Sequence, residues 1–113
     1  EMWMAIDAGL VVNPDRVKAQ LEGAGIFGMS LALYGEMSAK DGAMVQGNFD
    51  TYPVVRMSEA PRAIHTHILP VDAPPGGVGE PGVPPVAPAI ANAWFAATGK
   101  RLREMPFRKA GVA

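Results

Sequence analysis

The sequence predicts an α+β fold, with two helices packed on a mainly antiparallel sheet of about four strands. Three observations predict it. Two stretches carry helix-start and helix-stop residues at their ends, several short stretches read as strands between turn residues, and the order runs strand, helix, hairpin, strand, helix. The length of 113 residues, 49% of them hydrophobic, suits one small domain covering residues 1–113.

Trp3 to Ile6 is short, apolar and followed by Asp7-Ala8-Gly9, which makes it a buried strand. It is already under way at Glu1, and a chain that opens in mid-element is expected to be part of something longer. Asn13-Pro14-Asp15 then starts a helix. Asn13 can cap it, Pro14 suits the first helical position, and Asp15 faces the positive end of the helix dipole. Val17, Leu21, Ala24, Gly28 and Leu31 recur down one face, and Gly35 is placed to stop the helix. Gly23, Gly25 and Gly28 lie in its interior, each costing about 1 kcal/mol relative to Ala. Tight packing of the helix on a neighbour explains such a series, and so does a bulky ligand lying against it. From spacing alone, packing is the preferred explanation.

Two strands are expected near Glu36 to Ala39 and Ala43 to Gln46, joined through Lys40-Asp41-Gly42, where Asp-Gly supplies the positive φ angles of a tight turn. Gly47 to Pro61 is polar and aromatic, with Tyr52 held extended by Pro53. Ala63 to Leu69 reads as a further strand. The stretch Pro70 to Pro88, PVDAPPGGVGEPGVPPVAP, holds most of the prolines and reads as an ordered loop feeding a second helix. Pro85 can open that helix, and Ala89 to Thr98 continues it up to Gly99.

Composition excludes several functions. Ten Lys or Arg against eleven Asp or Glu give a net charge of -1, which offers no electrostatic case for nucleic acid or an anionic membrane. The positives Lys100, Arg101, Arg103, Arg108 and Lys109 collect late in the chain, where a solvated tail is the preferred reading over a subunit contact. The absence of cysteine excludes disulfides, a cysteine-held iron–sulfur cluster and a thiol nucleophile in this chain. No apolar stretch reaches the roughly 18 residues of a membrane span.

Few residues stand out as chemical candidates. Glu80 sits in Gly79-Glu80-Pro81-Gly82 ahead of the second helix, with little side-chain bulk to keep another molecule away. Taken alone, a loop Glu is a solvated or capping residue more often than a catalyst. His65 and His67 fall on one side of a strand, but two histidines without a third ligand make weak evidence for a metal, and none is assigned. Ser30 lies within a helix and lacks the setting of a nucleophile. Glu59 and Arg62 could pair at a loop surface.

Three stretches together carry a resemblance. AIDAGLVVNPDRVKAQLEGAGIFGMSLALYGE (Ala5 to Glu36), NFDTYPVVR (Asn48 to Arg56) and GVGEPGVPPVAPAIANAWFAATGKRLREMP (Gly77 to Pro106) resemble, in order and spacing, the last part of the large subunit of xanthine oxidase-family molybdenum hydroxylases. Within that family they are most similar to the isoquinoline 1-oxidoreductase β-subunit group of aldehyde-oxidase-like proteins. The most specific element is the Ala19-Gln20-x-Glu22-Gly23 helix combined with Gly79-Glu80-Pro81 further on.

The resemblance implies an oxidoreductase activity for the complete subunit, of which residues 1–113 would be the C-terminal portion of a larger molybdopterin-binding domain. Such enzymes hydroxylate an aldehyde or an aromatic N-heterocycle with oxygen from water. Glu80 matches the family's catalytic base. Gln20 would contact the pterin, Gly23 is a weaker candidate on the same helix, and Val78 and Gly79 would shape the pocket through their backbone. The implied cofactor is molybdopterin cytosine dinucleotide in the complete enzyme, with none expected on this chain alone. The implied partners are the remainder of the molybdenum subunit and an iron–sulfur subunit, and self-association is expected of the separate chain. The competing reading is a small non-catalytic α+β module whose Pro-rich loop binds a partner.

Overall fold

Helix α1 (Pro14–Leu33) begins as its residues dictate, with the Asn13 side chain accepting the Arg16 N–H at 3.1 Å and Pro14 in the first turn. It ends where the N–H groups of Tyr34 and Gly35 both reach the Ser30 carbonyl at 3.0 Å. This computed structural model describes residues 1–112, and the other elements are β1 (Met2–Ile6), β2 (Ala39–Lys40), β3 (Ala43–Met44), β4 (Ile64–Ile68) and α2 (Val86–Thr98). A 3-10 turn at Phe107–Ala110 follows α2. No helix among the described residues is long and apolar enough to cross a membrane.

The α+β class holds, but the expected sheet does not. There are two separate two-stranded sheets, β1 with β4 and β2 with β3. The first is parallel, with Met2 opposite Ile64 and Ile6 opposite Ile68. Its direction follows from the connection: a chain that leaves β1 through a long crossover containing α1 can return alongside it in the same sense. The β2–β3 hairpin is antiparallel and turns through Asp41 and Gly42, both at positive φ, as the Asp-Gly pair predicts. All four of its strand residues are exposed, so it has no apolar face with which to join the other pair.

Helix α1 serves two apolar clusters. Toward its start, Val17 and Leu21 meet Ile6 and Ala8, with Met4, Ile68 and Val78 packed alongside. Toward its end, Ala32 and Leu33 meet Phe107, with Ile90, Ala91 and Leu102 around them. Two interior glycines permit this double packing. A Cβ on Gly25 would lie 2.7 Å from the Met2 sulfur, and one on Gly28 would lie 2.7 Å from Val86 Cγ2 and 3.0 Å from the Val83 carbonyl oxygen. Gly23 differs: a Cβ there would meet nothing within 4 Å.

The five late cations are all exposed, as a solvated segment would be, but three of them also contact the fold. Phe107 is 4% exposed and brings its neighbours down onto the end of α1. Lys109 pairs with Glu36 at 2.5 Å, and the Arg108 guanidinium lies 5.3 Å from the Tyr34 ring centre. Arg101 stacks 3.5 Å over Phe95. The buried phenylalanine, surrounded by charge in sequence, is what the cationic composition concealed.

Candidate functional site

The Pro/Gly stretch that carries Glu80 is pinned at several points. Its first half is tied to the end of β1, where the Leu10 N–H donates to the Ala73 carbonyl and the Gly76 N–H to the Ala8 carbonyl, both at 2.9 Å. Gly9, at φ +60°, allows this approach, since a Cβ there would run into the Pro74 carbonyl. Val78 is half-buried and packs against the first apolar cluster. Gly82 is buried on α1, with 2.7 Å between its would-be Cβ and that of Ala24.

Gly79, Glu80 and Pro81 lie exposed between those two anchors. Two hydrogen bonds organise them. The Glu80 carbonyl accepts the Val83 N–H at 2.9 Å, closing a turn. The Gln20 side-chain amide donates from Nε2 to the Gly79 carbonyl at 2.8 Å, across 59 positions of sequence. The fold therefore brings together Gln20 and Gly79, with Glu80 next in the chain. Gly23 lies one helical turn beyond Gln20 on the same face of α1, and it is exposed. Val78 stands apart, because its side chain faces the core.

The Glu80 carboxylate has no hydrogen-bonding or ionic partner among the described residues. It is an unclaimed acceptor on a fixed turn, flanked by a glycine that leaves open space: a Cβ on Gly79 would meet nothing within 4 Å. Beside the turn, Pro81 and Gly82 form one end of a groove of about 410 Å³ between β1 and α2, walled by Met2, Met4, Leu21 and Ile90. Sequence reasoning did not find this groove. Its only signal is the spacing of Met2 and Met4 on one strand face.

The histidines share a face, as their spacing predicts, and that face is open. The Trp3 and His65 rings stack at 4.9 Å with 19° between their planes, and His65 Nε2 lies 3.5 Å from a Glu1 carboxylate oxygen. No group of three or more potential metal ligands occurs among the described residues. Glu59 pairs differently from the sequence expectation. It accepts the Tyr34 hydroxyl and, at 2.8 Å, the Arg56 N–H. The Tyr34 hydrogen bond, then the Arg56 N–H, holds the Glu59 carboxyl below its ordinary range. The same bond, then burial, raises the Tyr34 phenol.

Residues 1–61 match the model of the molybdopterin cofactor-binding domain. The chain is 42% identical over 109 residues to the isoquinoline 1-oxidoreductase subunit beta of Brevundimonas diminuta, covering 96% of this chain and 14% of that protein. It is 43% identical over 112 residues to a membrane-bound aldehyde dehydrogenase (pyrroloquinoline-quinone) of Gluconacetobacter polyoxogenes, covering 99% of this chain and 14% of that one. Among solved structures, reconstituted CO dehydrogenase from Oligotropha carboxidovorans superposes with a TM-score of 0.70 at 19% identity, over 88% of this chain and 14% of that chain. That last likeness concerns the fold alone. The chain thus spans 14% of the length of these two relatives.

Proposed function

The chain belongs to the molybdopterin cofactor-binding domain family, and from that premise we propose that it is the segment of a molybdenum hydroxylase subunit that brings Glu80 to the cofactor as a general base. The observation that carries this reading is the Gln20–Gly79 hydrogen bond. It joins the helix and the loop that jointly resemble the family, so the two motifs lie side by side, which supports reading them as one site.

The residues present leave room for a bulky group. Gly23, Gly77 and Gly79 each leave open space where a side chain would stand, and Gln20 keeps an amide oxygen and a second N–H for a ligand. The surface is one wall only, and the rest of the subunit would complete the enclosure. When bound, the molybdenum cofactor supplies two-electron redox chemistry and an oxygen nucleophile drawn from water. Glu80 would act there as the proton acceptor, its backbone held in a closed turn by the Val83 N–H. Enclosure by the remaining subunit would exclude bulk water from around the carboxylate.

The cytosine dinucleotide form of the cofactor and an aldehyde or aromatic N-heterocycle substrate are part of this proposal. The names of the two relatives, an isoquinoline oxidoreductase and an aldehyde dehydrogenase, support the substrate class. The second name also includes pyrroloquinoline quinone, but the family match of residues 1–61 favours molybdopterin. An iron–sulfur partner subunit, through which electrons would leave, is part of the same proposal, and the absence of cysteine from this chain is consistent with it.

Glu80→Gln in the complete enzyme tests the reading. Turnover is expected to fall by about a hundredfold or more, the usual range for losing a positioned base, with molybdenum content unchanged. A wild-type rate from that variant would instead favour the non-catalytic module.

A further inference from the structure

We infer that Gln20 is a positioning residue for the Glu80 turn, beyond any contact it makes with a cofactor; the catalytic part of this inference rests on the function proposed above. Val78 and Gly82 anchor the loop, and between them only Gly79, Glu80 and Pro81 are left standing clear of the core. Inside that span, the Glu80–Val83 bond closes the turn and buried Gly82 seats its far end on α1, but neither holds the Gly79 end. The Gln20 bond does, because it ties the Gly79 carbonyl to a helix whose position is set by two apolar clusters.

The bonded residue is a glycine, and that gives the tie its importance. Glycine has the widest backbone freedom of any residue, so an untied Gly79 would let the following carboxylate swing through a broad arc. At 2.8 Å the bond has the length of a well-formed N–H···O contact, and its polarity is forced, since a carbonyl can only accept. Gln20 is itself exposed, so it contributes nothing to the core that its replacement would disturb.

The donor requirement gives a test with a distinctive signature. In the chain as it stands, hydrogen exchange of the Val83 amide reports the turn, and amides within α1 serve as the internal reference. Gln20→Ala and Gln20→Glu are both expected to speed Val83 exchange about tenfold at neutral pH, relative to wild type. In acid, below the ordinary carboxyl range, the protonated Glu can donate to the Gly79 carbonyl. Val83 protection is then expected to return toward the wild-type value in Gln20→Glu but not in Gln20→Ala. In the complete enzyme at neutral pH, Gln20→Glu is expected to lower kcat per bound molybdenum about tenfold with KM unchanged.

Val83 exchange equal to wild type in both variants would overturn the inference. So would a loss of molybdenum accompanied by unchanged exchange, which is the result expected if Gln20 only touched cofactor. The exchange measurement needs no cofactor. If Glu80→Gln proved fully active while Val83 exchange responded as expected, the catalytic reading would fail and the positioning role would stand.

Discussion

Gly23 and Gly28 lie on one helix and are expected to respond oppositely to the same substitution. Gly23→Ala has open space for its methyl and replaces a poor helix former, so it should raise stability by roughly 0.5–1 kcal/mol. In the complete enzyme the same methyl would stand on the proposed cofactor wall and lower molybdenum retention. Gly28→Ala should lose about 1–3 kcal/mol, because its methyl meets the stiff Val86 side chain and a backbone carbonyl. Denaturant midpoints of the two variants check the stability arm. The Tyr34–Glu59 bond adds a pH dependence. Glu59 is held low when folded, so its contribution is complete above the ordinary carboxyl range and is lost as pH falls through the lowered folded value. Tyr34 is held high, so its contribution is complete below the ordinary phenol range and is lost as pH rises through the raised value. The Tm difference between wild type and Tyr34→Phe should therefore be greatest between those ranges and shrink at both extremes. At this scale the sequence was legible only in part. It marked three helical glycines without showing which were packed, and Glu80 by itself was indistinguishable from a solvated loop residue. The Gln20–Gly79 bond spans 59 positions, and no local preference announces such a contact.

Elements whose geometry is settled by neighbouring residues were legible. The Asn13-Pro14-Asp15 start, the Asp41-Gly42 turn and the Gly99 stop, at φ +73°, each act within a few residues and appear where their chemistry places them. Strand pairing was not legible, because β1 and β4 are partners fixed by the packing of the crossover between them. The 3-10 turn was missed for a related reason. A single aromatic among Arg and Lys has no periodic pattern, yet it closes the second cluster. Phe107→Ala should cost about 3–5 kcal/mol, visible as a large drop in Tm. Arg103→Ala, on an exposed residue of the same segment, should change Tm little.

The whole molecule is more extended than its size requires. Its radius of gyration is 16.3 Å, whereas a compact domain of this length has about 13 Å. Trp3, Val12, Phe49 and Met57 stand largely exposed, at 69%, 90%, 90% and 92%. Surfaces of that kind associate, so sedimentation of the separate chain is expected to show larger species as concentration rises, and Phe49→Ser with Met57→Ser should reduce them. Because it would supply only one wall of the proposed cofactor site, the separate chain is also expected to retain no molybdenum, which metal analysis checks. The most direct test of the proposed role is the location of Glu80 in a crystal structure of the complete, molybdenum-loaded enzyme. The expected result is a carboxylate within hydrogen-bond reach of the cofactor, with Gln20 still donating to the Gly79 carbonyl. A carboxylate facing bulk water, remote from the pterin, would contradict it.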